Sequence, residues 1–372
     1  MINVLQVGMT ANIGGMETYL MNQYRHINKT LLHYDFVNIT ADSSIAFENE
    51  ILNNGSEIYN ICRRSRNPLK HYYQWWKLLA NTRGKYDVIV FNTCHLYYVF
   101  PLFIAKFFGI RKRIVHSHNN GDEIRLSVWR KSLIAINKRI LFFSATDYWA
   151  CSASAGKWMF GVRPFVIIHN AIETSKFKFN KLIRDKKRRE LSLHGKFVIG
   201  HVGRFSYQKN HKFLLEVFGE VSKAMNNAVL MLVGDAAKSD KLIWQEIHSM
   251  IDRMGLQDKV LFMGMRDDVN ELMQAMDVFV FPSRFEGLGI VGIEAQTAGL
   301  PCYFSQFVSR EINLTNLVKY LPLCLNEWIH NILECKVHNR WDMSDRIKEM
   351  GYSIEQEISQ IEENFRAEVR NQ

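Results

Sequence analysis

The feature that most constrains this chain is its alternation of short, nearly continuous apolar runs with amphipathic helical stretches. INVLQV, HYDFVNI, DVIVFN, RIVHSH, DYWACS and FVIIHN read as strands in the first half. FVIGHVG, AVLMLVG, KVLFMG, DVFVFPS and PCYFS read as strands in the second. Helical patterns such as HKFLLEVFGEVSKAM and DVNELMQAM lie between them. Strands that are apolar along their whole length belong to parallel sheets covered on both faces by crossover helices. At 372 residues the chain exceeds one ordinary core. The series breaks after FVIIHNAIE, where residues 173–196 are charged, carry RDKKRRE at their centre and lack a sustained apolar period; KFVIGHVGR then starts a second series. The expected architecture is α/β, two doubly wound Rossmann-like domains facing across a cleft. They span residues 1–172 and 173–345. Residues 346–372 form a C-terminal helix that can pack back on the first domain.

Composition narrows the classes. Hydrophobic residues at 47% and charged residues at 23% are those of a soluble globular protein. The six cysteines form no Cys-x-x-Cys pair, so neither a zinc site nor a disulfide framework is expected, and a reducing cytoplasm fits. The opening MINVLQVGM does not read as a signal peptide. The most apolar segment, LYYVFPLFIAKFFGI at 96–110, is too short to span a bilayer and is broken by Lys106. The net charge of +10 lies wholly in the first half: residues 1–172 hold 20 Lys+Arg against 10 Asp+Glu, and residues 173–372 hold 27 of each. One basic half implies an anionic partner: nucleic acid, an acidic lipid surface or a phosphorylated substrate.

In open α/β sheets ligands bind at the carboxyl ends of the strands, so motifs placed there carry most weight. Gly14 and Gly15 in MTANIGGMETYL start a helical pattern, where main-chain N–H groups can approach an anion; the structural alternative is a plain turn. His116 and His118 in RIVHSHNNGD share a face at a strand end. A metal would need a third ligand, for which Asp122 is a weak candidate, and none is expected. Arg204 and Lys209 in HVGRFSYQKNH follow a buried strand beside Gly203. A planar fork and a point charge suit a diphosphate better than a solvated loop requires. Gly264 to Asp267 form a βα turn whose main chain, at Met265 and Arg266, can meet a flat ring. Asp267 or Asp268 is read as an N-cap. Last is SRFEGLGIVGIEAQTAGLP, residues 283–301. Glu286 lies in a loop, and Glu294 lies about one turn into a helix closed by Gly299. The amides of Gly287, Leu288 and Gly289 fall at the helix start and favour an anion. Carboxylates beside an anion site make sense if they accept hydrogen bonds from hydroxyls. A nucleotide sugar supplies both groups.

With these residues in hand, the chain resembles glycosyltransferase family four, the retaining GT-B enzymes, and within it those of bacterial capsular and exopolysaccharide synthesis. The Glu-x7-Glu pair, Glu286 and Glu294, is the most specific element, with GRFSYQKNH, FPSRFEGLG and EAQTAGLP in the expected order. The resemblance implies a nucleotide-sugar donor, UDP in the first place, bound by the second domain, and an acceptor bound by the first. Arg204 and Lys209 would hold the diphosphate with the amides of Gly287–Gly289, beside Gly203. Glu286 would lie by the donor sugar and Glu294 on the ribose. Met265 and Arg266 would read the base, and Gly14 and Gly15 would close on phosphate or acceptor. His116, or His118 if the register slips by two, would stand near the sugar. Glu286, Arg204, Lys209 and the two histidines are the catalytic candidates. No metal and no cofactor are expected, in keeping with the missing Asp-x-Asp motif. Two departures are Ala171 in HNAIE, where glycine is usual, and Gly292 inside the helix, which costs about 1 kcal/mol relative to alanine.

The basic half gains a use from this resemblance. Residues 62–85 hold seven Lys+Arg and no acid, interleaved with Tyr72, Tyr73, Trp75 and Trp76, and FFGIRKR follows. Cationic and aromatic residues on a helix suit an anionic membrane surface across residues 62–113; the alternative is a solvated helix with a buried aromatic face. A peripheral position on the inner face of the cell membrane fits a glycan acceptor carried on a lipid pyrophosphate. A nucleotide-sugar epimerase of the same fold is the rival enzyme. A nucleic-acid-binding protein is the rival of another class, but no reading motif supports a nucleic-acid partner.

Overall fold

A computed structural model describes residues 1–11, 14–40, 43–119, 127–236, 240–335 and 340–369. The chain divides into two compact units, residues 1–171 with 354–372, and residues 172–353. Each unit is a wholly parallel sheet flanked by helices. The first holds β1 (Ile2–Val7), β2 (Leu32–Asn38), β3 (Ile58–Asn60), β4 (Val88–Thr93), β5 (Lys112–Ser117), β6 (Asp147–Ala150) and β7 (Val166–Ile167), in the order β3-β2-β1-β4-β5-β6-β7. The second holds β8 (Phe197–Val202), β9 (Ala228–Val233), β10 (Val260–Gly264), β11 (Val278–Phe281), β12 (Cys302–Ser305) and β13 (Val318–Leu321), in the order β10-β9-β8-β11-β12-β13. Both orders reverse beside the first strand of the unit, which is where a doubly wound sheet binds its ligand.

The helices that matter below are α1 (Gly15–His26), α2 (Pro68–Asn81), α3 (Phe100–Phe107), α4 (Val128–Ser144), α5 (Lys181–Glu190), α6 (His211–Ala224), α7 (Val269–Ala275), α8 (Ile290–Thr297) and α9 (Ile354–Val369). Strand alternation builds the second unit's two cores. Phe279 and Phe281 of β11 face one apolar cluster with Val198, Ile293 and Phe304. Val278 and Val280 face another with Ile199, Leu214 and Leu230.

Three elements depart from the sequence pattern. The edge strands β3 and β13 are short, and of their residues IYN and VKYL only Leu321 is buried, so no continuous apolar run marks them. The charged stretch after residue 172 is not a loose connection. Its centre is α5, docked by cations: Arg184 and Arg188 both pair with Asp277, and Lys187 pairs with Asp268 at 2.9 Å and Glu271 at 2.7 Å. A helix buried on its ionic face shows no apolar period.

Candidate donor site and histidine site

The second unit's site starts where β8 ends. Gly203 N–H donates to Val233 O, extending the ladder by one residue. A Cβ on Gly203 would stand 3.1 Å from Cδ and Cε of Lys209, so the lysine stem lies across this glycine. At the next strand end Gly234 has φ +133°, and a Cβ there would stand 2.4 Å from Gly203 O; only glycine fits.

Lys209 and Glu286, 77 residues apart, meet: Lys209 Nζ lies 2.7 Å from Glu286 Oε1. Both side chains are largely buried, and the ammonium also stands 4.5 Å from the centre of the Phe281 ring. The two loops that carry them are stitched together. Arg284 N–H donates to Gln208 O at 2.8 Å, Gln208 Nε2 to Phe285 O at 3.1 Å, and Asn210 Nδ2 to Pro282 O at 3.2 Å. Gln208, Asn210 and Arg284 were not singled out by the sequence; their role is visible only once the loops are adjacent. Arg204 is exposed and has no carboxylate partner among the described residues.

Glu286 is followed by Gly287, Leu288 and Gly289. Gly289 is the N-cap of α8 in the left-handed region, φ +84°, and no side chain caps the helix. Gly292 N–H donates to Gly289 O, and the amides of Ile290 and Val291 are left open to a ligand acceptor. Leu288 is buried in the core and anchors the turn. Glu294 lies one turn into α8, partly buried, and burial pushes its carboxyl up to about 7.

At the end of β10, Gly264 has φ +64° and Met265 is exposed. Arg266 is held by Asp268 through two contacts of 2.7 Å. Asp268 occupies the N-cap position of α7 but makes no capping bond, because its carboxylate is engaged by Arg266 and Lys187. The expected capping role is corrected accordingly. Those two cations hold the Asp268 carboxyl far below the usual carboxylate range.

In the first unit His116 and His118 come together at the end of β5, ring centres 4.1 Å apart. His116 is 1% exposed and His118 8%. Burial drives His116 well below the ordinary imidazole value, with His118 adding to it. Burial pushes His118 down to about 3. Both are neutral rings at neutral pH and can only donate or accept hydrogen bonds. His118 Nε2 is 3.0 Å from Asn92 Oδ1. The Asn92 amide nitrogen faces Gln6 Oε1 and Val7 O, so Oδ1 is the acceptor and His118 carries its proton on Nε2. Tyr19 of α1 packs on both rings. Asp122 lies outside the described residues.

Gly14 is the N-cap of α1 in extended backbone, and Gly15 is the first helical residue. A Cβ on Gly14 would stand 3.0 Å from Glu17 Oε2, and Thr10 Oγ1 donates to Glu17 Oε1 at 2.6 Å. A carboxylate thus stands beside the amides that the Gly-Gly pattern offers to an anion.

Residues 196–317 match the family model described as glycosyl transferases group 1. The "Putative glycosyltransferase EpsF" of Bacillus subtilis is 28% identical over 96% of this chain and 94% of its own length. An Escherichia coli UDP-Gal:alpha-D-GlcNAc-diphosphoundecaprenol alpha-1,3-galactosyltransferase is 33% identical over 37% of this chain and 36% of its own length. Among solved structures, Anabaena Alr3699/HepE in complex with UDP superposes with a TM-score of 0.80 at 20% identity, covering 99% of this chain and all of that one. The fold is that of the GT-B enzymes, as the sequence resemblance implied.

Proposed function

We propose that this chain, a glycosyltransferase of the group 1 family, moves a hexose or N-acetylhexosamine from a UDP-sugar to a lipid-linked or growing glycan with retention at the anomeric carbon. The observation that carries the reading is Lys209 held on Glu286 beside the uncapped start of α8. A lysine ammonium has three donors, and one of them is on Glu286. The others, with Arg204, are the proposed ligands for a diphosphate. Glu286 is then next to the sugar, and Glu294, one turn on, accepts from the ribose hydroxyls. Met265 and Arg266 read the base, with Arg266 fixed by Asp268.

The bond between the anomeric carbon and the diphosphate oxygen breaks as the acceptor oxygen bonds that carbon on the same face. The leaving diphosphate takes the acceptor proton. The protein's work is placement and neutralisation of the leaving charge by Arg204, Lys209 and the α8 amides, without a metal. His118, neutral with its proton on Nε2, orients hydroxyls and carries no charge. Support for UDP comes from HepE, solved with UDP and with UDP-glucose. Support for a lipid diphosphate acceptor comes from the substrate in the galactosyltransferase's name, and for an exopolysaccharide setting from the likeness to EpsF.

The first unit offers a face for the membrane. Leu69, Tyr73 and Trp76 of α2, Phe103 and Phe107 of α3, and Trp129 and Phe143 of α4 are exposed. Lys106 bonds Phe143 O at 2.7 Å and lies over its ring, so α3 and α4 join in one face. Among the described residues no helix is long and apolar enough to cross a membrane. A panel of nucleotide sugars tests the donor assignment: UDP-sugars are expected to raise the melting temperature and to be consumed, giving a product whose anomeric coupling matches the donor. A panel in which no nucleotide sugar binds, or a product of inverted configuration, overturns it.

A further inference from the structure

Glu357 sits near the start of α9, the helix that rejoins the first unit. Its side chain is 2% exposed. A carboxyl is rarely buried without a use, because its desolvation exceeds that of an apolar side chain. Docking the helix does not need it. Ile354, Ile358, Ile361 and Phe365 form the buried stripe of α9, and Phe365 stacks on Trp149 at 5.6 Å. A leucine at 357 would dock the helix at a lower desolvation cost.

Its contacts lead to the histidine site by way of Tyr19. Gln23 Nε2 donates to Oε1 at 2.9 Å, and the backbone N–H of Ala171 donates to Oε2 at 3.0 Å. The Tyr19 hydroxyl accepts from Gln23 Nε2, the same amide that donates to Glu357. The Tyr19 ring stands edge-on to His116 at 5.5 Å and against His118 at 5.1 Å. Asn170, adjacent to Ala171 in the chain, is 4% exposed, and its Oδ1 makes no hydrogen bond among the described residues. Glu357 thus reaches the histidine site through the Tyr19 ring, and its second oxygen is tied to the backbone at Ala171.

We infer that Glu357 is a positioning residue for the histidine site: it sets the stance of His116 and His118 through Tyr19. The inference rests on the reading of that pair as part of the transfer site. Burial pushes the Glu357 carboxyl up to about 8, as expected of a carboxyl held inside by hydrogen bonds rather than by a cation.

The test compares Glu357→Leu, Glu357→Gln and, as a packing control on the same stripe, Ile361→Ala, all in the full chain. The readouts are the imidazole nitrogen signals of His116 and His118 and the kinetics of donor turnover. Glu357→Leu is expected to keep the fold, shift both imidazole signals and lower kcat about ten-fold, with the donor KM changed by less than about two-fold. Glu357→Gln, which keeps an acceptor for the Ala171 amide, should recover most of the loss. Ile361→Ala should lower the melting temperature and leave the imidazole signals and the kcat of folded enzyme unchanged. Unchanged imidazole signals in Glu357→Leu, or an Ile361→Ala variant that reproduces its effects, overturn the inference. If the wild-type chain turns over no donor, the imidazole readout still decides the positioning role, and the failure belongs to the proposed reaction.

Discussion

At the residue scale the donor site depends on a pairing that the sequence shows only as two separate motifs. Lys209 and Glu286 cancel each other's charge, so the net cation left for a diphosphate is Arg204, aided by the α8 amides. The partnership also explains Gly203, since a side chain there would push the lysine stem off its course. Glu294 gives a prediction with a sign. Its carboxyl has a pKa of about 7, raised by burial, so the acceptor form needed for ribose hydroxyls is the minority below that pH and the majority above it. Affinity for a UDP-sugar, whose phosphates do not titrate in this range, should therefore rise about ten-fold from about pH 6 to about pH 8. Glu294→Gln should bind weakly with a flat profile. Calorimetry across that range checks it, and a flat wild-type profile contradicts the role given to Glu294.

At the element scale, α8 and α2 show how a helix can be written for two purposes. Gly292 looks like a weakness in α8 by propensity. Its place in the fold accounts for it: a Cβ there would stand 2.8 Å from Phe304 Cζ and 3.0 Å from Ile312 Cδ1, both buried. Close packing of α8 on β12 holds the uncapped helix start in place, and overpacking there would disturb it. In α2 the adjacent tryptophans divide. Trp75 is wholly buried with His71, Leu78 and Leu79, whereas Trp76 is 45% exposed and packs edge-on and tilted against Phe107 and Phe108. Buried Trp75 fits the reading of a helix with a buried aromatic face, and exposed Trp76 is what the proposed membrane surface would use. Binding to vesicles of anionic lipid at low salt should be measurable for the intact chain, weaken with salt, and fall about ten-fold or more when Trp76, Phe107 and Trp129 are replaced by alanine. Cosedimentation checks this, and failure of the wild-type chain to bind removes the membrane face.

At the scale of the whole molecule, much of the fold was legible because parallel strands buried on both faces have an unmistakable composition. INVLQV, DVIVFN, FVIGHVG and DVFVFPS are central strands of their sheets. What escaped did so for definable reasons. IYN and VKYL pair along one edge only. KLIRDKKRRE folds as α5 on its charges, with Asp277 as the buried anchor. The partners of α9 lie far away in the chain: Gln23 is 334 residues and Ala171 is 186 residues from Glu357, and no local period encodes such contacts. Of the candidate site, the residue types at the strand ends were readable because glycines, cations and carboxylates are conspicuous there. The Lys209–Glu286 pair and the Glu357–Tyr19 link were not, since each joins segments that only the sheet order brings side by side.

If Lys209 on Glu286 forms the heart of a sugar-transfer site, the kcat/KM for sugar transfer from a UDP-sugar to a lipid-diphosphate-linked acceptor will show it in Lys209→Ala and Glu286→Ala beside the wild-type chain. The wild type is expected to transfer sugar, and each variant to lose about 100-fold or more with folding retained. Wild-type turnover in either folded variant would contradict it.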